Sequence, residues 1–304
     1  MKALSLSPKD VADALGVSEA SIKRWCDQGR IAVVRTPGGH RRLDVAEVVR
    51  FMRASGRHAA RPELLGMPNR LSERPSVERA RQVANAALLA GDEAALTALV
   101  LELFAAGEGI AAIGDGLFEP VFRDIGAGWE HGSVEVYEEH RAVEIAHRAL
   151  RALLERIPAV GASAPLALTS TIEHDPYSLA LLLVEGVLRE GGWRVSPLGA
   201  NQPTDTLCEA VRRMKPRLVC LSFGYWIDQD RAIESYERVS STALAVGAAV
   251  AVGGRVLVPE LRKRLNYSVF CDHLRHFDTF LSTLDTGLRR RRERAGSRPQ
   301  ATEV

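Results

Sequence analysis

The chain has 304 residues, 46% of them hydrophobic and 26% charged, with a formal net charge of +2, a length that holds two or three domains with separate cores. No apolar stretch reaches the roughly 18 uninterrupted residues of a membrane helix, and the start MKALSLSPKD lacks a signal peptide's apolar segment. A membrane protein is thereby excluded and a cytoplasmic location is expected. Cys26, Cys208, Cys220 and Cys271 stand without C-x-x-C spacing, which argues for buried thiols and against a disulfide framework or zinc site.

The small net charge hides a division along the chain. Residues 1–57 carry 11 Lys/Arg against 6 Asp/Glu, and residues 288–304 carry 6 Arg against 2 Glu, so the middle is acidic. Basic charge gathered at the N-terminus points to a nucleic-acid contact driven by phosphate attraction. The run Arg289 to Arg292, which leads into a basic tail over 291–304, reads as a solvated helix end.

Ser7-Pro8-Lys9-Asp10 opens a helix with a capping residue and a proline in its first turn, and Val11, Ala12 and Leu15 supply its apolar stripe. Gly16 breaks it. Ser18 caps a second helix, Glu19 to Gln28, in which Ile22 and Trp25 face inward while Ser21, Lys23 and Arg24 face out. Two short helices joined through a glycine read as a helix-turn-helix. Beyond the apolar run Ile31 to Val34, Pro37-Gly38-Gly39 makes a tight turn between two extended pieces, which gathers Arg35, His40, Arg41 and Arg42 on a β-wing. This layout, with its G-G-H-R-R, resembles the winged helix-turn-helix of MerR-family transcription regulators over residues 5–53. The resemblance implies a DNA-binding domain over 1–57 whose second helix enters the major groove of a double-stranded operator while the wing grips the flanking backbone.

Residues 58–75 contain three prolines and little periodicity, the mark of a linker. From Ser76 to Ile157 the pattern is helical, broken at Gly91-Asp92, Gly107-Glu108-Gly109 and Gly132-Ser133. A four-helix bundle over 76–158 is the simplest packing. In the remainder, over 160–290, strand-like runs alternate with helical ones: 166–172 with 178–190, 194–198 with 204–214, 218–223 with 229–246, 249–252 with 259–265, and 268–271 with 277–292. Such βα alternation gives a doubly wound parallel, Rossmann-like sheet, so the whole is α/β plus all-α.

Asp175, Tyr177, Ala180, Ser222 and Gly253-Gly254 fall at the carboxyl ends of those strands, where ligands of such sheets bind. With 41 residues between Ala180 and Ser222 and 28 between Gly224 and Gly253, they resemble the corrinoid-binding pattern D-x-H-x-x-G, S-x-L, G-G, whose histidine ligates cobalt from below. Here Tyr177 holds the histidine position, Ala180 the following glycine and Gly224 the leucine. The glycines are expected to let a nucleotide tail pass close to the backbone. Upstream, Trp129 and, after nine intervening residues, Glu139-His140 resemble the cap of CarH/LitR-type light-responsive regulators, in which the three cover the upper face of adenosylcobalamin. His131 stands two after the tryptophan, where the family commonly has its photolysed-state histidine one after.

The resemblance implies a transcription regulator, a repressor relieved by light, whose cofactor state alters packing between cap and Rossmann-like domain, and hence homo-oligomerisation and operator binding. Three states of the cofactor site remain open. Cobalamin binds with a different lower ligand or none; or haem binds, through a Tyr177 phenolate, a hard anionic ligand with an ordinary pKa near 10, with His131, His140 or His174 as other ligands; or there is no cofactor and the domain serves protein partners. A corrinoid-dependent methyltransferase or mutase module is the competing class. No substrate domain supports it, so the chain is read as a non-enzyme.

Overall fold

The computed structural model describes residues 5–55, 57, 59–66 and 77–284. Two compact units divide the chain, Met1–Val160 and Gly161–Val304.

The first unit opens with strand β1 (Ser5–Leu6) and helix α1 (Pro8–Leu15). Ser7 and Asp10 cap α1 reciprocally, and Pro8 occupies the first turn, where its missing N–H costs nothing. Gly16 ends α1 at φ +65°, and a Cβ there would lie 3.0 Å from that of Ala60, so conformation and space both call for glycine. Helix α2 (Glu19–Asp27) follows, capped by Ser18, with Ile22, Trp25 and Cys26 buried. Strands β2 (Val34–Arg35) and β3 (Arg41–Asp44) pair antiparallel as a wing, and β1 joins the other side of β3.

The sequence reading ended at the wing, whereas the structure continues directly into helix α3 (Val45–Ala54). Its signal is Asp44, whose carboxylate accepts from the Ala46 N–H at 2.8 Å. Val48, Val49 and Met52 are buried, and Phe51 meets Trp25 with ring centroids 4.8 Å apart. The expected linker over 58–75 is also partly folded. Pro62–Leu65 forms a 3₁₀ turn with Leu65 fully buried, and the Arg61 N–H donates to Ala14 O at 3.0 Å, tying it to α1. Residues 67–76 lie outside the described residues.

Four helical rods then follow: α4 (Val77–Ala90), α5 (Glu93–Ala105), α6 (Ile110–Ile113) continuing into α7 (Glu119–Glu130), and α8 (Val136–Leu154). A π turn, Gly114–Phe118, joins α6 to α7. Gly116 in it approaches α4 so closely that a Cβ would fall 2.5 Å from Val77 Cγ1. Leu88, Leu96, Val100, Leu117, Val121 and Leu150 fill the interior.

The second unit is a five-stranded parallel sheet of β4 (Leu166–Thr171), β5 (Arg194–Gly199), β6 (Leu218–Ser222), β7 (Ala249–Gly253) and β8 (Val269–Cys271), in the order β5-β4-β6-β7-β8. The connecting helices are α9 (Leu179–Glu190), α10 (Thr204–Met214), α11 (Gln229–Ala245) and the short α12 (Pro259–Arg262). Residues 274–284 are helical; the rest of the helix expected over 277–292, and the basic tail, lie outside the described residues.

The two faces of the sheet differ sharply. Leu168, Val219, Leu221, Val250 and Val252 pack into one apolar core with Leu207 and Val211 of α10 and Ile233, Tyr236 and Val239 of α11. Because side chains alternate along a strand, the opposite face carries two rows of mostly small residues set by register: Thr169, Cys220, Ala251 and Val269, then Thr171, Ser222, Gly253 and Cys271. All four cysteines are free thiols; Cys271 is the one that is only partly buried, and burial pushes its pKa up to about 12.

Candidate functional site

Strand order reverses between β4 and β6, and the loops leaving these two strands meet on Asp175. This carboxylate is fully buried. One oxygen accepts from the Tyr177 N–H at 3.0 Å, and the other accepts from the N–H groups of Gly224 at 2.6 Å and Tyr225 at 3.3 Å. Burial pushes its pKa above the ordinary carboxylate value, while the three amides and the Arg255 guanidinium pull the other way. The loop after β5 is fastened as well. Asn201 donates its N–H to Thr171 Oγ1 and Asp175 O and accepts from the His174 N–H, which holds exposed His174 at φ +70°.

Tyr177 is 47% exposed, yet its ring is held on two sides. The Arg255 guanidinium sits 5.4 Å from the ring centroid, and Tyr225 meets it edge-on at 6.2 Å. Arg255 also donates to Gly224 O at 3.0 Å, closing the group. Tyr225 and Arg255 were missed in the sequence, although each directly follows a motif position, Gly224 and Gly254.

Gly253 and Gly254 have a cause within the fold itself. A Cβ on Gly253 would lie 2.9 Å from Cys271 O, and one on Gly254, at φ +123°, would lie 2.2 Å from Phe223 O. Contacts within the fold already require both glycines, so they say nothing by themselves about a passing nucleotide.

Observations of the small-residue face bear on a cobalamin more directly. Thr169 Oγ1 is buried there without a hydrogen-bond partner, a state that costs on the order of 1–3 kcal/mol. Ser222, also buried, lies one row above and one strand across. Small side chains, a partnerless hydroxyl and a second one beside it suit a flat heteroaromatic base with ring nitrogens, so the residues fit the group at its nucleotide end. They do not fit it at the metal, because the position of the lower imidazole is a phenol stacked under a guanidinium.

On the helical rods, Trp129 lies at the end of α7 and is 51% exposed, and Tyr137 in the first turn of α8 is 64% exposed. Glu139 and His140 sit in the same part of α8, 3.5 Å apart. His131 Nδ1 is 2.6 Å from Ala127 O. A carbonyl only accepts, so the neutral ring carries its proton on Nδ1 and leaves Nε2 as a free donor of electrons.

In the N-terminal domain Lys23, Arg24, Arg35, His40 and Arg42 are exposed and Ser21 is half-buried. Ser21 shares a 3.0 Å hydroxyl contact with Ser18, and Lys23 pairs with Glu19 at 2.9 Å. Arg41 is placed otherwise than expected. Its guanidinium takes both Asp27 oxygens, at 2.7 and 3.3 Å, and Lys23 O at 3.0 Å, so it ties the wing to the end of α2.

Comparison with known proteins agrees with this division. Residues 5–56 match a family described as a helix-turn-helix domain, and residues 81–154 and 165–272 match two families each described as a B12 binding domain. The chain is 28% identical over 264 residues to the HTH-type transcriptional repressor CarA of Myxococcus xanthus, covering 83% of this chain and 87% of that one. It is also 28% identical to CarH of the same organism, over 80% and 86% of the two chains. The monomethylamine corrinoid protein of Methanosarcina barkeri superposes with a TM-score of 0.56 over 69% of this chain and 99% of its own, at 15% identity; that likeness is one of fold. Among the described residues no helix is long and apolar enough to cross a membrane. The chain therefore joins a helix-turn-helix domain to two B12 binding domains and is similar, over most of its length, to the transcriptional repressors CarA and CarH.

Proposed function

We propose that this chain is a DNA-binding transcription regulator whose C-terminal domain holds cobalamin, that it represses its operator, and that it has no catalytic activity. The observation that carries the cofactor reading is the small-residue face beside the strand-order reversal, where Thr169 Oγ1 is buried without a partner. Bound cobalamin supplies a metal centre that responds to light. The chain's own residues do the rest. Asp175 fixes the β4 and β6 loops against each other through three backbone amides, so the carboxyl end of the sheet is preformed. The exposed Trp129 and Tyr137, with the Glu139–His140 pair, give the helical domain an aromatic and polar surface suited to covering a flat ligand and bonding its upper group.

The same reading assigns DNA contact to α2 and the wing, with Lys23, Arg24, Arg35, His40 and Arg42 reaching the duplex and Arg41 setting their register. Self-association of the chain links cofactor state to operator affinity. The test is reconstitution with adenosylcobalamin in the dark, desalting, and absorption spectroscopy, followed by anisotropy titration of the chain's own promoter duplex before and after illumination. A retained corrinoid spectrum with a light-dependent change in DNA affinity supports the reading. Colourless protein after desalting, or a Soret band from the purified chain in place of corrinoid uptake, overturns it.

A further inference from the structure

We infer that the C-terminal domain takes cobalamin with none of its own atoms on the metal, Tyr177 serving as a fixed, non-coordinating cover where an imidazole would stand. The inference rests on the cobalamin reading above.

Four features of the site lead to it. First, the histidines of this unit are elsewhere. His174 is exposed on a loop fastened to Asn201. His273 and His276 face each other at 5.5 Å beyond β8, the edge strand, three strands from β4, which at the usual strand spacing is about 14 Å away. Second, Asp175 has both oxygens occupied by backbone amides. Its role is to close the loops, and it needs no ring nitrogen beneath a metal to satisfy it.

Third, the Tyr177 ring is fixed by Arg255 on one face and Tyr225 at its edge. A guanidinium that stacks on the ring and also bonds Gly224 O resists the swing that would carry the phenol oxygen to a metal. Fourth, Gly224 stands where a Cβ would meet the Tyr177 ring, 3.3 Å from its Cδ2, as well as lying 3.0 Å from its Cβ. The tyrosine and the glycine fit together, so the departures from the corrinoid pattern form one packed unit. The partly buried Cys271 offers no substitute, since its thiol pKa of about 12 leaves it protonated.

Electron paramagnetic resonance of the full chain loaded with cob(II)alamin tests this. Nitrogen bound to cobalt(II) splits the spectrum, as a triplet for the natural isotope and as a doublet for nitrogen-15. Protein grown uniformly on nitrogen-15 and loaded with unlabelled cofactor is expected to show no nitrogen splitting; a triplet, from the cofactor's own base on cobalt, would overturn the placement of that base on the small-residue face. A doublet from the labelled chain overturns the inference while leaving the cobalamin reading intact. Tyr177→Phe is expected to leave the cobalt hyperfine pattern in place, and a shifted pattern would mean that the phenol oxygen was a ligand. Tyr177→His is expected to create the doublet in labelled protein. Loss of the corrinoid on desalting overturns the cobalamin reading and this inference together.

Discussion

A side chain on Gly224 would place its Cβ 3.0 Å from Tyr177 Cβ and 3.3 Å from Asp175 Oδ1. The φ of Gly224 lies outside the left-handed region, so the penalty there is one of space and not of conformation. Gly224→Leu, which restores the residue of the corrinoid pattern, is expected to destabilise the C-terminal unit by about 2 kcal/mol through overpacking. Adding Tyr177→Ala keeps the Cβ contact and removes only that with Tyr177 Cδ2 at 3.3 Å, so it should recover a minor part of that loss. Urea unfolding of the two single variants and the double variant measures the coupling, and strictly additive effects would separate the two positions.

Asp175→Asn tests the loop closure. The carboxylate offers an oxygen to Tyr177 on one side and another to Gly224 and Tyr225 on the other. An amide has one oxygen, so either orientation points its NH₂ at a buried donor. The expected loss is about 2–3 kcal/mol of stability. A urea midpoint equal to wild type would show that the three amides find other partners.

How far this site was legible from sequence differs residue by residue. The five βα units stand out because each strand is a short apolar run bounded by turn residues, and the intervals from Ala180 to Ser222 and from Gly224 to Gly253 carry the corrinoid resemblance. Helix α3 was not separated from the wing because β3 ends at Asp44 and the helix begins at Val45 with no loop between. Arg255 and Tyr225 escaped for another reason. They meet Tyr177 only because loops some fifty residues or more apart in sequence leave strands β4, β6 and β7 at one end of the sheet, a juxtaposition that strand order creates and local pattern does not record. Gly253-Gly254 has a cause that the motif does not record. The motif was read for a ligand, whereas the carbonyl groups of Cys271 and Phe223 already exclude a side chain.

The helical unit should lose stability in mild acid through His147 on α8. Burial lowers its pKa, Arg151 adds to that, and Glu144 at 3.8 Å opposes it. The folded value is therefore below the unfolded value of about 6.5, so between the two the unfolded chain binds the extra proton. This contribution is fully present above about pH 6.5 and is lost as pH falls through that value toward the folded pKa. Urea midpoints measured at about pH 8 and about pH 5.5 should converge more closely for His147→Gln than for wild type. An equal pH dependence in the two proteins would remove His147 as the cause.

Arg41 and Arg42 are neighbours in β3 with opposite duties, and salt dependence of DNA binding separates them. Arg42 is exposed on the wing, and as a phosphate contact it releases a counterion; Arg42→Ala should reduce the slope of log K against log salt by about 0.9. The Arg41 guanidinium is spent on Asp27 and Lys23 O, with its side chain 19% exposed. Arg41→Ala therefore should weaken binding by loosening the wing from α2 while leaving that slope unchanged. Asp27→Ala should lower affinity in the same way, since it breaks the same tie from the other end. An anisotropy titration of a duplex across a salt series reads all three. A reduced slope for Arg41→Ala would place its guanidinium on the phosphate backbone, which would require the Asp27 pair to break when DNA binds.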